Sequence, residues 1–269
     1  MHNLGNLLLA FSFRLLAHMN EYIKHLNRIE VIETMACTGH CKHCSEGDHA
    51  GFTDHLDGQC VAKVIDAICR IYNIDSLTVF GGEPLLYPDD VCEIFKAGEK
   101  AGIQRRDLIT NGYFSKDEKK IQEVANRLVE NGLNRILLSV YAFHHETIPL
   151  EPVMAFATCI QNTWIKTELS PAWLVSQDDN NPYNIKTREI LKLFTDVGIG
   201  LGTGNVIWPK GNARIYLKDY FDLSKETVNP YEDNPGDVKS VSIEPDGKVL
   251  QGNIYQDSII NILEKYRPF

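Results

Sequence analysis

The chain has 269 residues, 43% of them hydrophobic, which is enough for one barrel-sized domain with a full core. Its net charge of −9 does not favour non-specific binding to nucleic acid, so no nucleic-acid partner is expected. Seven cysteines, three of them clustered, do not fit a secreted disulfide framework and indicate a reducing, cytoplasmic compartment.

The chain begins with an apolar stretch. The run from Leu7 to Phe13 has the length of a signal-peptide core, but no Lys or Arg precedes it and Arg14 interrupts the apolar pattern. It is also too short to span a bilayer. We predict an amphipathic helix from about Leu4 to Lys24, within an N-terminal helical extension over residues 1–27, and membrane contact is the less favoured alternative.

Three cysteines, Cys37, Cys41 and Cys44, follow the first predicted strand with the spacing C-x3-C-x2-C. Thiolates are soft ligands for iron–sulfur clusters, zinc or copper. Three of them can hold three irons of a cubane [4Fe–4S] cluster and leave the fourth iron open to a substrate. Structural zinc, with His40 or His43 as the fourth ligand, and a non-metal role for buried cysteines remain alternatives.

A second motif, Gly81-Gly82-Glu83-Pro84, directly follows the apolar run 77–80 and therefore lies at the carboxyl end of a predicted strand. Paired glycines let a ligand approach the backbone. Glu83 could accept charge-assisted hydrogen bonds from a ligand ammonium group. The alternative is a plain strand-to-helix turn that ends at Pro84.

Taken together and in this order, the two motifs resemble those of the radical S-adenosylmethionine (radical SAM) enzymes. The resemblance implies that Cys37, Cys41 and Cys44 bind one [4Fe–4S] cluster, whose open iron chelates the amino and carboxylate groups of S-adenosylmethionine. It further implies that the GGE motif with Pro84 contacts the methionine end of that cofactor. His43 occupies the place of the aromatic residue that the family usually has beside the adenine.

Helices and strands alternate along the rest of the chain. Strands are predicted over about 28–34, 76–80, 107–110, 135–140, 166–175 and 198–207, and helices over about 57–72, 88–101, 116–131, 151–161 and 187–197. This alternation predicts an α/β fold with a parallel sheet and right-handed crossovers. The resemblance makes residues 28–215 a partial (β/α)6 TIM-like barrel, open on one side.

Polar residues at the predicted strand ends complete the candidate site. Asn111 follows strand three, where the resemblance places it beside the cofactor. Ser139 retains part of a Ser-x-Asp triplet that meets the ribose and carboxylate of the cofactor in relatives, but Tyr141 replaces the acid. We predict that Tyr141 and His144 are catalytic residues at the barrel mouth, with a solvated loop as the alternative for the stretch around His144. Glycines in strand six suggest close approach of a ligand and add Asn205 to the cofactor-binding residues.

Residues 216–269 are predicted to form a C-terminal capping tail. A β-hairpin over about 240–251, turning at Asp246-Gly247, precedes a helix over about 258–266. This tail resembles the start of the SPASM- or twitch-type domains of peptide-modifying relatives. Because no cysteine follows Cys159, the tail cannot hold a thiolate-ligated auxiliary cluster.

The resemblance implies an enzyme that reductively cleaves S-adenosylmethionine to a 5′-deoxyadenosyl radical and abstracts hydrogen from a substrate. An electron donor such as flavodoxin or ferredoxin is implied as a partner. The tail suggests a peptide substrate, as in crosslinking or epimerising maturases. Alternatives are a radical enzyme of a small metabolite and a non-catalytic iron–sulfur- or zinc-binding regulatory protein.

Overall fold

The computed structural model describes residues 20–224 and 232–269. Most of the helix predicted to end at Lys24 lies outside the described residues, and residues 21–25 form turns rather than helix. No helix in the described part of the chain is both long and apolar enough to cross a membrane.

A parallel sheet of seven strands forms the centre of the molecule, and two small two-stranded sheets accompany it. The strands are β1 Arg28–Ile32, β2 Ser76–Phe80, β3 Arg105–Thr110, β4 Arg135–Leu138, β5 Lys166–Leu169, β6 Ala172–Trp173, β7 Gly200–Leu201, β8 Asn205–Val206, β9 Ser240–Ile243, β10 Lys248–Val249 and β11 Gly252–Asn253. In space the main sheet runs β7-β5-β4-β3-β2-β1-β9, with every neighbouring pair parallel. The predicted α/β architecture of a barrel with alternating helices is confirmed.

Helices connect most of these strands. They are α1 Gly58–Cys69, α2 Pro88–Lys100, α3 Glu118–Glu130, α4 Ala142–His145, α5 Leu150–Gln161, α6 Pro182–Thr195, α7 Gly211–Tyr216 and α8 Ile259–Lys265. Side chains at their N-terminal caps satisfy free backbone N–H groups: Asp57 begins α1, Asp117 begins α3 and Asn181 begins α6.

The core lies between the sheet and the apolar faces of the helices. The stripe of α1 that the sequence predicts, which includes Val61, Ile65 and Ile68, is fully buried. It packs with buried strand residues such as Val31 and Leu77 in one continuous cluster. Burial of these aliphatic side chains is the main source of stability, at about 25 cal/mol per Å² of apolar surface.

Predicted strands five and six are each broken in two. β5 and β7 stay in the main sheet, whereas β6 and β8 leave it and pair with each other. The break falls at Pro171, which has no N–H for a sheet ladder, and at Gly204, which has a φ of 68°. A Cβ on Gly204 would lie 2.1 Å from the Pro171 carbonyl oxygen. The two strands therefore bend together because their backbones touch.

The predicted hairpin between residues 240 and 251 is wrong in which strands it pairs. The turn at Asp246-Gly247 is present, with the Gly247 N–H donating to the Glu244 carbonyl oxygen at 2.8 Å. However, β9 pairs in parallel with β1 and so joins the barrel sheet, and the antiparallel hairpin consists of β10 and β11. Val241 and Ile243 are fully buried in this position, so β9 gains a core contact that an exposed hairpin could not provide.

Candidate active site

The three cysteines of the C-x3-C-x2-C motif lie in a long loop at the carboxyl end of β1, the cysteine loop (residues 34–55). An antiparallel bridge between Thr34 and His55 closes its base. Burial raises the pKa of the Cys37 thiol to about 11, and burial together with its two neighbouring cysteines raises that of Cys41 to about 12. A bound cation would stabilise the thiolate forms of Cys37 and Cys41 against this effect of burial.

The three thiols lie close enough together to influence one another, because Cys37 and Cys44 both contribute to raising the pKa of Cys41. Thiolates are soft ligands that suit an iron–sulfur cluster or a zinc ion.

A histidine that the sequence analysis did not single out contacts one of these thiols. His49 is buried, and its Nε2 lies 3.0 Å from the Cys44 Sγ while its Nδ1 lies 2.6 Å from the Met35 carbonyl oxygen. The hydrogen bond with Cys44 is the main reason why the pKa of His49 is raised. The histidines named as zinc ligands lie elsewhere: His40 is exposed and His43 contacts Tyr141.

The Gly81-Gly82 pair packs directly on the base of the cysteine loop. The Gly82 N–H donates to the Thr34 carbonyl oxygen at 2.8 Å, and the Glu83 N–H donates to the Ala36 carbonyl oxygen at 2.9 Å. A Cβ would lie 2.3 Å from the Thr34 oxygen if placed on Gly81 and 2.2 Å from the Ala36 oxygen if placed on Gly82. Contact between two stretches of backbone, rather than a ligand, is thus sufficient to require both glycines.

Glu83 is fully buried, and its carboxylate is occupied by contacts with the chain. It accepts hydrogen bonds from the Thr110 hydroxyl at 2.7 Å, the Asn111 N–H at 2.8 Å and the Leu85 N–H at 3.0 Å. Burial raises its pKa to about 7, and these hydrogen bonds limit the rise. The side chain of Asn111 then extends towards the cysteines, with its Nδ2 3.7 Å from the Cys37 Sγ. Through Asn111 the fold connects the two motifs that the sequence singled out.

Three predicted site residues, His43, Tyr141 and His144, form one aromatic network beside the cysteines. The Tyr141 hydroxyl lies 2.9 Å from the His43 Nε2 and 3.0 Å from the His144 Nε2. Phe143 stacks on His43 with ring centroids 5.2 Å apart. Burial lowers the pKa of His144 to about 4 and that of His43 well below its ordinary value, so both rings are neutral.

These contacts determine where the protons lie. The His144 Nδ1 is 2.7 Å from the Ser139 carbonyl oxygen, so it carries a proton and leaves Nε2 to accept from the Tyr141 hydroxyl. The Tyr141 oxygen then accepts from the His43 Nε2–H. This leaves the His43 Nδ1 unprotonated, and it is buried without a hydrogen-bond partner among the described residues. A buried lone pair of this kind is complementary to an N–H donor on a bound molecule.

Asn205 lies apart from this network. It is exposed on β8, and its N–H donates to the Pro171 carbonyl oxygen at 2.9 Å. The glycines around it are explained by neighbouring strands, since a Cβ on Gly202 would lie 2.9 Å from the Leu169 carbonyl oxygen. The cofactor contact predicted for Asn205 therefore has no support from the glycine signal that suggested it.

The start of α7 holds the cysteine loop from the opposite side. Asn212 donates from its backbone N–H to the Cys44 carbonyl oxygen at 2.9 Å, and from its side chain to the carbonyl oxygens of Cys41 and Gly47, both at 3.1 Å. Gly211 touches the loop so closely that a Cβ would lie 2.3 Å from the Ser45 oxygen. The Gly211-Asn212 pair at the start of a helix is the one signal in the sequence that could have pointed to this contact.

The structure is therefore a parallel α/β barrel that presents three cysteine thiols, suited to binding a metal, beside a buried aromatic network. The model of the Radical SAM superfamily matches residues 31–167 of the chain. The chain therefore belongs to the radical SAM superfamily, whose members use a [4Fe–4S] cluster and S-adenosylmethionine.

One curated relative is a probable GTP 3′,8-cyclase of Methanocaldococcus jannaschii, 24% identical over 127 residues. That match covers 47% of this chain and 40% of the relative, so the chain spans less than half of the relative's length. Among solved structures, SuiB of Streptococcus suis bound to S-adenosylmethionine has a TM-score of 0.58 at 12% identity, covering 95% of this chain and 69% of SuiB. Native anSMEcpe with bound AdoMet has a TM-score of 0.58 at 17% identity, covering 90% of this chain and 81% of anSMEcpe. Both are likenesses of fold.

The residues present fit both groups that the family uses. Three thiols without a fourth cysteine in the loop match a cluster that keeps one iron open. The unpartnered His43 Nδ1 offers an acceptor to an amino group such as that of adenine.

Proposed function

We propose that this chain cleaves S-adenosylmethionine reductively at a [4Fe–4S] cluster and uses the product to abstract hydrogen from a peptide substrate. The observation that carries the proposal is the link through Asn111, whose N–H binds Glu83 while its amide faces Cys37. It brings the cysteine loop and the GGE turn into one rigid unit. A protein that only stored a metal ion would not need the second motif beside the first.

The residues of this chain hold and orient the reacting groups. Cys37, Cys41 and Cys44 would hold the cluster, and Asn212 fixes the loop that carries them. When bound, the cluster and S-adenosylmethionine supply one-electron chemistry that yields methionine and a 5′-deoxyadenosyl radical able to remove a hydrogen atom. The electron comes from a partner such as flavodoxin or ferredoxin, which fits a reducing cytoplasm.

The cofactor-binding roles of Gly81, Gly82, Glu83 and Pro84 follow from their position beside the cysteines. Glu83 is occupied by three chain contacts, so it acts mainly as a positioning residue that shapes the turn. The backbone of this turn would then bind the methionine end of the cofactor.

His43 and Ser139 belong to the adenosine end of the pocket. The His43 Nδ1, left unprotonated by the hydrogen bonds with Tyr141 and His144, would accept a hydrogen bond from the exocyclic amine of adenine. Ser139 already anchors His144 through its carbonyl oxygen at 2.7 Å.

Tyr141 and His144 remain the proposed catalytic residues for the fate of the substrate radical. The Tyr141 hydroxyl lies on the cysteine side of the pocket, where the nearby thiols contribute to raising its pKa after burial. Epimerisation requires that a donor return one hydrogen atom to the substrate radical. Crosslinking instead requires that one electron and one proton leave to an external acceptor protein.

Two observations support a peptide as the substrate. Native anSMEcpe with bound AdoMet and the Cp18Cys peptide shares the fold of this chain, with a TM-score of 0.56. In addition, β7 ends the main sheet, and Leu201 on it is exposed. An open sheet end of this kind can accept an extended peptide as a further strand. The similarity to a probable GTP 3′,8-cyclase favours a small metabolite as the second candidate.

The experiment is an anaerobic assay of the full chain after reconstitution with iron and sulfide. S-adenosylmethionine and dithionite are added, and 5′-deoxyadenosine and methionine are quantified. Cys41→Ala is the test variant, and Cys159→Ala is the control because Cys159 lies on α5 and contacts Gln122. We expect product in the wild type and in the control but none in Cys41→Ala.

The same assay then separates the substrate classes. A pooled library of synthetic peptides and GTP are added in separate reactions. Peptides that raise 5′-deoxyadenosine formation and lose two hydrogen masses, or gain one deuterium in D₂O, support crosslinking or epimerisation respectively. Stimulation by GTP but not by peptides would favour the small-metabolite reaction. If iron did not bind and zinc did, the proposed activity would be wrong.

A further inference from the structure

Glu33 is a buried carboxyl group that lacks any partner in the machinery described above. It directly follows β1, its side chain has 0% exposure, and neither carboxylate oxygen has a hydrogen-bond partner among the described residues. Burying a polar group without a partner is costly, and burying a charge is more so. A cation bound beside this carboxyl group would stabilise it in its charged form.

Two further potential ligands meet Glu33 at one point. The His55 Nδ1 lies 3.9 Å from the Glu33 Oε1 and 3.3 Å from the Asp90 Oδ2. One ligand atom from each of the three residues lies within 4.8 Å of the other two. Ligand atoms bound to zinc at about 2.1 Å are about 3.4 Å apart in a tetrahedron, so only a small contraction is needed.

The surroundings hold these ligands in place. Asp90 uses its other oxygen, Oδ1, to accept from the Gly58 N–H at 2.9 Å, which leaves Oδ2 directed at His55. The His55 ring stacks on Tyr87 with centroids 3.9 Å apart. The Leu56 carbonyl oxygen, 3.2 Å from the same His55 nitrogen, is available as a fourth oxygen ligand.

We propose that Glu33, His55 and Asp90 bind one divalent transition-metal ion, such as Zn²⁺ or Mn²⁺. Two carboxylates and a neutral imidazole balance the charge of a dication. The imidazole favours a transition metal over Mg²⁺ or Ca²⁺, which take oxygen ligands. The site is separate from the cysteine triad, and the inference does not depend on the proposed activity.

The location of the site indicates a structural role. His55 forms the bridge with Thr34 that closes the cysteine loop, and the Thr34 hydroxyl also donates to the Asp54 carbonyl oxygen at 2.6 Å. A metal bound by Glu33 and His55 would join the two ends of that loop to the start of α2 through Asp90. The ion would thus stabilise the loop that carries Cys37, Cys41 and Cys44 without taking part in the reaction.

Mn²⁺ is the probe because it prefers oxygen and nitrogen ligands to thiolates and is detected directly by EPR. The full chain with a reconstituted, oxidised cluster is freed of loose metal with EDTA and then titrated with Mn²⁺ under anaerobic conditions. The test variants are Glu33→Gln and Asp90→Asn, and the latter retains an acceptor for the Gly58 N–H. Glu93→Gln is the control, since Glu93 lies on the same helix as Asp90 and its side chain is 46% exposed and pairs with Lys96.

We expect one tightly bound Mn²⁺ per chain in the wild type and in Glu93→Gln, displaced by added Zn²⁺. Loss of a residue that only supports a metal ligand costs about 10- to 100-fold in metal affinity. Each test variant changes a proposed direct ligand, so it should weaken Mn²⁺ binding by more than this. Thermal melts in EDTA show whether each variant is folded, and added Zn²⁺ should raise the melting temperature of the wild type but not of Glu33→Gln. Absence of bound Mn²⁺ in the wild type, or binding by both test variants as tight as in the wild type, would show that the three residues do not form a metal site.

Discussion

Substitution of Gly82 by alanine tests how the cysteine loop is held. A Cβ at this position would lie 2.2 Å from the Ala36 carbonyl oxygen and 2.8 Å from the Met35 carbonyl oxygen. Because both are backbone atoms, one of the two chain segments must move. That movement would disrupt the hydrogen bonds from Gly82 N–H to Thr34 and from Glu83 N–H to Ala36, which measure 2.8 and 2.9 Å.

The size of the effect follows from these contacts. Overpacking of a closed site costs about 1–3 kcal/mol. Each of the two backbone hydrogen bonds contributes about 1 kcal/mol. Gly82→Ala should therefore lower the free energy of unfolding by about 3–5 kcal/mol. At about 2–4 °C per kcal/mol for a large domain, the melting temperature falls by about 6–20 °C.

The measurement is thermal unfolding, followed by circular dichroism, of protein that carries neither cluster nor S-adenosylmethionine. Gly200→Ala is the matched control, because a Cβ there meets only the Thr167 carbonyl oxygen at an ordinary 3.5 Å. Iron bound per chain after reconstitution is a second readout, and it should fall in Gly82→Ala alone.

An unchanged melting temperature for Gly82→Ala, with a loss only of affinity for S-adenosylmethionine, would contradict this prediction. The glycine pair would then be needed to let the ligand come close to the backbone. The short backbone contacts with Thr34 and Ala36 would then have no energetic role.

Three further predictions concern single side chains of the site. Burial raises the pKa of Glu83 from 4.5 to about 7. Protonated Glu83 therefore makes its full contribution to the free energy of unfolding below pH about 4.5, and this contribution is lost as the pH rises through about 7. Glu83→Gln should lack this fall in melting temperature between those pH values, and parallel curves for the two proteins would contradict the assignment. Asn212→Ala removes two side-chain hydrogen bonds to the cysteine loop, so iron should pass from the protein to a chelator about tenfold faster. The control is Asn205→Ala, on an exposed strand, which should release iron at the wild-type rate. Tyr141→Phe leaves two buried histidine nitrogens without their partner and should cost about 1–3 kcal/mol in denaturant unfolding, whereas an unchanged midpoint would show that the network is not formed.

Local patterns were sufficient to predict the architecture of this chain. The apolar stripe of α1 repeats at helical spacing, and all four of Val61, Val64, Ile65 and Ile68 are buried. A run such as Leu77 to Phe80, followed by glycines, identifies a buried strand and its carboxyl end. Such signals depend on neighbours within a few residues, so they can be read without knowing the fold.

The candidate site was predicted in part for the same reason. The spacing of Cys37, Cys41 and Cys44, and the GGE motif one strand later, are local features with a specific chemistry. In contrast, His40 and His43 looked as close to the cysteines as His49 does, and only the folded loop places the His49 Nε2 3.0 Å from a thiol. Loop conformation is not periodic, so spacing along the chain does not rank these histidines.

Short-range patterns along the chain are enough to identify an α/β barrel with a thiol triad and a GGE turn. The folded chain was needed to find that β9 pairs with β1, that Asn212 holds the cysteine loop, and that Glu33 meets His55 and Asp90. An apolar strand or a polar side chain shows in the sequence only that it needs a partner. Which partner it finds depends on how the whole chain packs, as in the hydrogen bond from Ser242 to Glu30 across 212 residues of sequence.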